Sequence, residues 1–119
     1  MNDYQKKLNG LMDQYVHLTY SISKKFPKEE IYGVTSQLRR SSLSVVLNYI
    51  EGYARRKTLT RLNFLEISYG SLMESDYLLD FSLEEMYIIK ENYDLAKKLS
   101  KEIGAMLWTE ISNIDKSLD

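Results

Sequence analysis

Cysteine is absent from the 119 residues, and histidine, proline and tryptophan each occur once. Without cysteine there are no disulfides, no thiolate metal sites and no cysteine nucleophile. No apolar run approaches the ~20 residues of a membrane-spanning helix. The first residues, Met1-Asn2-Asp3-Tyr4-Gln5, are not an apolar leader, so a cytoplasmic protein with no membrane partner is expected. Linkers rich in glycine, proline or serine are missing, as are low-complexity tracts and repeats of 20–50 residues, which removes tethered modules and solenoids. A chain of 119 residues has room for one core, so a single domain spanning 1–119 is expected and a two-domain enzyme is excluded.

What is present is helical periodicity. Apolar residues make up 44% and charged residues 28%, the balance of a folded chain rather than a disordered one. Leu8, Leu11, Tyr15, Leu18 and Ile22 step by three and four, predicting a helix over about 4–25 that stops before Pro27. A second run over about 34–56 has Leu38, Val45, Val46, Tyr49 and Tyr53 on one side, with Leu43, Leu47, Ile50 and Ala54 on another. The third, about 59–85, pairs Leu62, Leu65, Tyr69, Leu72 and Leu79 with a neighbouring line of Phe64, Ile67, Tyr77, Leu78 and Phe81. Helices this apolar need a second covering surface, most simply another copy, so self-association is expected. A fourth helix, about 91–117, carries Leu95, Ala96, Leu99, Ile103, Met106, Leu107, Ile111 and Ile114. Its start is ambiguous. Ser82-Leu83-Glu84-Glu85 matches a capping box that would end the third helix near 81, while Met86 to Asn92 also reads as a connector; the later break is favoured. The fold class expected is all-α, an antiparallel up-down-up-down four-helix bundle. Gly52, Gly70 and Gly104 fall inside helices, where each costs roughly 1 kcal/mol unless neighbours approach closely.

The net charge of −1 conceals a polarity. Residues 1–61 hold eleven basic and five acidic side chains, +6, and residues 62–119 hold five basic and twelve acidic, −7. All five arginines lie within the 23 residues from Arg39 to Arg61. An up-down bundle gathers Lys6, Lys7, Arg55, Arg56, Lys57 and Arg61 at one end, diluted by Asp3, Asp115 and Asp119. Arg55 and Arg56 close a helix, where a cation favours the dipole, but Arg61 opens the next one, where it does not. That mismatch points to an anionic partner, RNA or DNA. The alternative is that the charged halves attract one another or a neighbouring subunit.

Enzymatic constellations are thin. Bundle di-metal sites need Glu-x-x-His, and this chain has none; His17 reads as a partly exposed residue of the first helix. Glu51, Glu66, Glu74 and Asp76 lie in the central helices, but Glu66 and Glu74 are ~12 Å apart along one helix, too far for a dyad, leaving a cross-helix pair of Glu51 with Glu74. There is no nucleophile elbow and no phosphate-cradling glycine loop, so neither catalytic residue nor cofactor nor metal is expected.

Three ordered motifs carry a resemblance. Tyr32-Gly33-Val34-Thr35-Ser36-Gln37-Leu38-Arg39-Arg40-Ser41-Ser42-Leu43-Ser44, then Asn48-Tyr49-Ile50-Glu51-Gly52-Tyr53-Ala54-Arg55-Arg56, then Phe64-Leu65-Glu66-Ile67-Ser68-Tyr69-Gly70-Ser71-Leu72-Met73-Glu74 resemble the four-helix-bundle proteins read from intervening sequences of 23S ribosomal RNA. The connector Phe26-Pro27-Lys28-Glu29-Glu30 fits too, and the resemblance covers about residues 8–115. It implies a homopentamer and a relative in the accessory variability determinant of diversity-generating retroelements, which binds a reverse transcriptase and nucleic acid. It also implies that Asn48, Glu51, Gly52, Gly70, Ser71 and Glu74 form a polar, small-residue packing network between the second and third helices. Tyr49-Ile50 stands where the family favours Ile-Ala, and Ser41-Ser42 where it favours alanine. The function expected is a non-enzymatic oligomeric scaffold binding RNA, DNA or a nucleic-acid-processing protein through its basic end. The alternative is a purely structural or protein-binding assembly, with Arg39, Arg40 and Arg61 paired across subunits.

Overall fold

Asn2 starts the first helix by a reciprocal cap: its side chain accepts from the Gln5 backbone, and the Gln5 side chain accepts from the Asn2 N–H, each at 2.9 Å. In the computed structural model, which describes residues 1–118, helix α1 then runs Asp3–Ser23. A short 3-10 turn at Lys28–Glu30 follows, and then α2 (Val34–Ala54), α3 (Thr58–Glu84) and α4 (Lys90–Ser117). The described residues contain four α-helices and no strand. Each helix end lies within two residues of its sequence expectation.

The junctions have individual causes. Buried Phe26 precedes Pro27, whose extended ψ of 140° stops α1 from continuing. The Glu30 carboxylate then accepts from the Val34 N–H at 3.3 Å, capping α2 where Gly33 has no side chain to offer. Three residues, 55–57, join α2 to α3. The ambiguity after Phe81 is decided by Ser82, which is fully buried and donates its hydroxyl to the Leu78 carbonyl at 2.7 Å, as a helix-interior serine does. Helix α3 instead ends in a Schellman motif: Tyr87 N–H bonds Ser82 O at 2.8 Å, Met86 N–H bonds Leu83 O at 3.0 Å, and Met86 takes the left-handed position at φ 62°.

The four helices pack around one core in which Tyr15, Leu38, Tyr49, Leu65, Leu72, Ile103 and Leu107 are fully buried. In α1 the buried stripe includes Leu8, Met12, Tyr15 and Ile22, leaving Leu11 and Leu18 at its half-buried margin. Between α2 and α3, rising numbers meet falling ones: Ser44 bonds Ser71 at 2.8 Å, Val45 O accepts from Ser68 at 2.6 Å, and Gly52 faces Phe64 and Leu65. Serines threaded through the core are satisfied locally or across helices, as with Thr19 to Ser42 and Tyr15 to Ser75, each at 2.8 Å. No described helix is long and apolar enough to cross a membrane.

The second apolar lines of α2 and α3 are the exception to burial. Leu47, Ile50, Ile67 and Tyr77 are 52, 48, 51 and 64% exposed, whereas Leu78 from the same set is buried.

Candidate nucleic-acid interface

The start of α1, the end of α2, the first turn of α3 and the end of α4 meet around an open cavity of about 440 Å³, lined among others by Gln5, Tyr53, Arg61, Glu110 and Ser117. Five of the six basic residues assigned to this end, Lys6, Lys7, Arg55, Arg56 and Lys57, are exposed, and Arg61 is half-buried. Of the acidic residues expected to dilute them, Asp3 and Asp115 are exposed and Asp119 lies outside the described residues.

Two of the arginines are spent within the fold. Arg61 donates from Nε to the Gly52 carbonyl at 3.4 Å and from an Nη to the Arg55 carbonyl at 3.0 Å, and its guanidinium lies 4.8 Å from the centre of the Tyr53 ring. The mismatch noted for a cation in the first turn of α3 therefore has a local answer: the charge reaches back to the C-terminal carbonyls of α2, where a cation is favourable. Arg55 pairs with Glu51 one turn earlier and stands 5.1 Å over Phe64. Arg39, outside this end, bonds Ser23 at 2.8 Å and covers Tyr20 at 5.1 Å. Lys6, Lys7, Arg56 and Lys57 form no side-chain hydrogen bond or ion pair with the described residues.

Glu110, on α4, lies beneath this surface and was not among the carboxylates singled out from the sequence. It is 7% exposed and accepts from Tyr49 at 2.6 Å and from Tyr53 through its other oxygen. The two phenol rings meet edge to face at 5.2 Å. Burial, reinforced by the carboxylate, pushes both tyrosine hydroxyls well above their ordinary 10.0. Its position was legible in principle, because Glu110 lies three residues after Leu107 and one before Ile111, on the buried line of α4.

A second polar knot links α3 to α4. Lys97 donates to Asp76 at 2.7 Å and Asp80 at 2.9 Å, Ser100 donates to Asp76 at 2.8 Å, and Tyr93 donates to Asp80 at 2.6 Å. Burial works against the charge on Lys97, but its two carboxylates outweigh it and hold the ammonium above its ordinary value. Burial also works against the charge on Asp80, pushing upward, yet its bonds from Tyr93 and Lys97 leave it below the ordinary carboxylate value.

The motif residues divide. Asn48 donates to the Ser44 carbonyl at 2.9 Å and hydroxyl at 2.8 Å, and Ser44 reaches Ser71, a chain spanning α2 and α3. Gly52 is a close approach, since a Cβ there would lie 2.6 Å from Leu65 Cδ1 and 3.2 Å from Phe64 Cβ. Gly70 has open space around it, and Gly104 meets only an ordinary contact at 3.5 Å. Glu51 is turned to Arg55, and Glu66 and Glu74 are exposed, so the tested pair of Glu51 with Glu74 is not assembled. His17 is exposed beside Asp13 at 3.4 Å, and among the described residues no group of three or more His, Cys, Asp or Glu side chains is placed to hold a metal.

The model of the 23S rRNA-intervening sequence protein family matches residues 10–109. The chain belongs to that family. Among solved structures it is similar to a protein of unknown function from the S23 ribosomal protein family of Bacteroides thetaiotaomicron, with a TM-score of 0.85 and 21% identity, covering 92% of this chain and 98% of the other. At that identity the likeness speaks for the fold. No curated protein matches the chain. Within the matched residues, Tyr49 is the side chain that reaches from α2 to Glu110 on α4.

Proposed function

We propose that this protein is a non-enzymatic, self-assembling scaffold, an antiparallel up-down-up-down bundle working as a homopentamer, which binds RNA or DNA through its basic end. A nucleic-acid-processing protein such as a reverse transcriptase would then be brought to the same end. The observation that carries the reading is that Lys6, Lys7, Arg56 and Lys57, near two helix boundaries, are exposed and have no side-chain partner among the described residues. Four such groups per chain make a modest phosphate site, and repetition around an oligomer multiplies it. Self-assembly is supported by the apolar side chains of α2 and α3 left about half exposed, each worth roughly 1 kcal/mol more when fully buried.

The test is a titration of labelled single- and double-stranded RNA and DNA at several salt concentrations. Binding that weakens steeply with salt and disappears when Lys6, Lys7, Arg56 and Lys57 become alanine supports the proposal. An oligomer that binds neither nucleic acid at low salt overturns its nucleic-acid half. A purely structural or protein-binding assembly is the second reading, favoured by the internal use of Arg39, Arg55 and Arg61.

A further inference from the structure

Two unlike apolar surfaces remain open on the bundle. One is a ridge: Leu43, Leu47 and Ile50 follow each other at helical spacing on α2 and are 37, 52 and 48% exposed. The other is a groove of about 330 Å³ between α3 and α4, lined by Tyr69, Met73, Gly104, Ala105 and Trp108. Trp108 is 56% exposed and leans on Tyr69 with ring centres 5.2 Å apart, while the small residues at 104 and 105 leave the floor beside the rings open.

Ridge and groove overlap in height at the Leu43 to Leu47 end of the ridge. Ser44 meets Ser71 and Val45 meets Ser68, so Leu47 lies within about a turn of the level of Tyr69 along the bundle. Copies arranged around an axis parallel to the helices keep their heights, which brings the ridge of one beside the groove of the next.

They also agree in charge. The half of the chain bearing the ridge carries +6 and the half bearing the groove −7. Exposed Arg40 and Lys24 flank the ridge; exposed Glu66 precedes Tyr69 by one turn and exposed Glu74 follows Met73, while the groove rim itself carries Lys101 and an Asp76 already paired with Lys97. Ridge against ridge would bring basic half to basic half, and groove against groove acidic to acidic. Only ridge in groove joins opposite signs.

We propose that a second copy of this chain seats its Leu43, Leu47 and Ile50 ridge in the Tyr69 and Trp108 groove, a head-to-tail contact. The proposal rests on the self-assembly stated above and adds which surfaces meet. Such a contact leaves each end copy with one unused surface until a ring closes.

Complementation of two surface variants tests it. Leu47→Glu spoils the ridge and keeps the groove; Ala105→Glu spoils the groove and keeps the ridge. Both positions are exposed, and circular dichroism verifies that the helices persist. Each variant alone is expected to run as a monomer in sedimentation, and an equal mixture to form a dimer and nothing larger. Trp108, the sole tryptophan, reports independently: its emission should shift to the blue in Leu47→Glu when Ala105→Glu is added. Either variant assembling like the parent protein, or a mixture that stays monomeric, overturns the head-to-tail contact while the parent still assembles. A parent protein that is itself monomeric overturns self-assembly and this contact together.

Discussion

The Tyr49 hydroxyl donates to the Glu110 carboxylate at 2.6 Å, tying the last third of α2 to the last third of α4. Tyr53 supplies the second donor, so a carboxylate that is 7% exposed keeps both oxygens occupied.

Replacing Glu110 with alanine orphans two tyrosine hydroxyls, of which that of Tyr49 is fully enclosed. The expected loss is about 1–3 kcal/mol for each hydroxyl left unbonded, read as a lower urea midpoint. Glu110→Gln keeps an acceptor and should cost less. A midpoint unchanged in Glu110→Ala would remove the pair from the account of stability.

Alkaline unfolding should sense the same cluster. Tyr49 and Tyr53 are raised above their ordinary 10.0, and Lys97 above its ordinary 10.5, so each holds its proton more tightly folded than unfolded. Their contribution is complete below about pH 10 and is lost as pH climbs through the folded values. Asp80 has the opposite sign: its lowered value contributes above the ordinary carboxylate value of 3.8, and that contribution fades in stronger acid. Melting temperature measured from pH 8 to about 11 should fall, and the fall should be shallower in Tyr49→Phe/Tyr53→Phe.

The glycines separate by their surroundings. Gly52→Ala places a methyl 3.2 Å from Phe64 Cβ and 3.3 Å from the Arg61 carbonyl, an overpacking expected to cost about 1–3 kcal/mol. Gly70→Ala meets open space and should stabilise an isolated protomer by up to about 1 kcal/mol through helix propensity. Met86→Gly, relieving the left-handed φ of 62°, should stabilise by about 1 kcal/mol. Thermal melts of the three single variants give the signs directly.

Structure and binding should come apart at the basic end. Arg61→Ala removes the contacts to Gly52, Arg55 and Tyr53, so it should lower the melting temperature. Lys6→Ala/Lys7→Ala/Arg56→Ala/Lys57→Ala should melt like the parent while losing nucleic-acid binding and most of its salt dependence, about 0.9 in log–log slope per lost phosphate contact on duplex DNA. Melting and anisotropy on the two proteins distinguish these roles.

The helices are readable because apolar spacing marks their faces and Pro27 marks the first break, while α2 ends at Ala54, two residues before the expected 56. The end of α3 is read to within one residue, 85 against Glu84, although Met86 occupies the left-handed position where glycine is the usual signal. Charge counting treated Arg55 and Arg61 as available, although their partners become neighbours only when α2 folds back on α3. Glu110 escaped for the related reason that its donors, Tyr49 and Tyr53, are about sixty residues away in sequence. The exposed line of Leu47, Ile50, Ile67 and Tyr77 was legible as an excess of apolar surface, since one small core cannot cover both sides of a helix.

Sedimentation of the purified protein at micromolar concentration tests that excess most directly. The account predicts a single species of five chains, each of 14.0 kDa, that dissociates when Leu47 becomes glutamate. A stable species of one chain at the same concentration would contradict it.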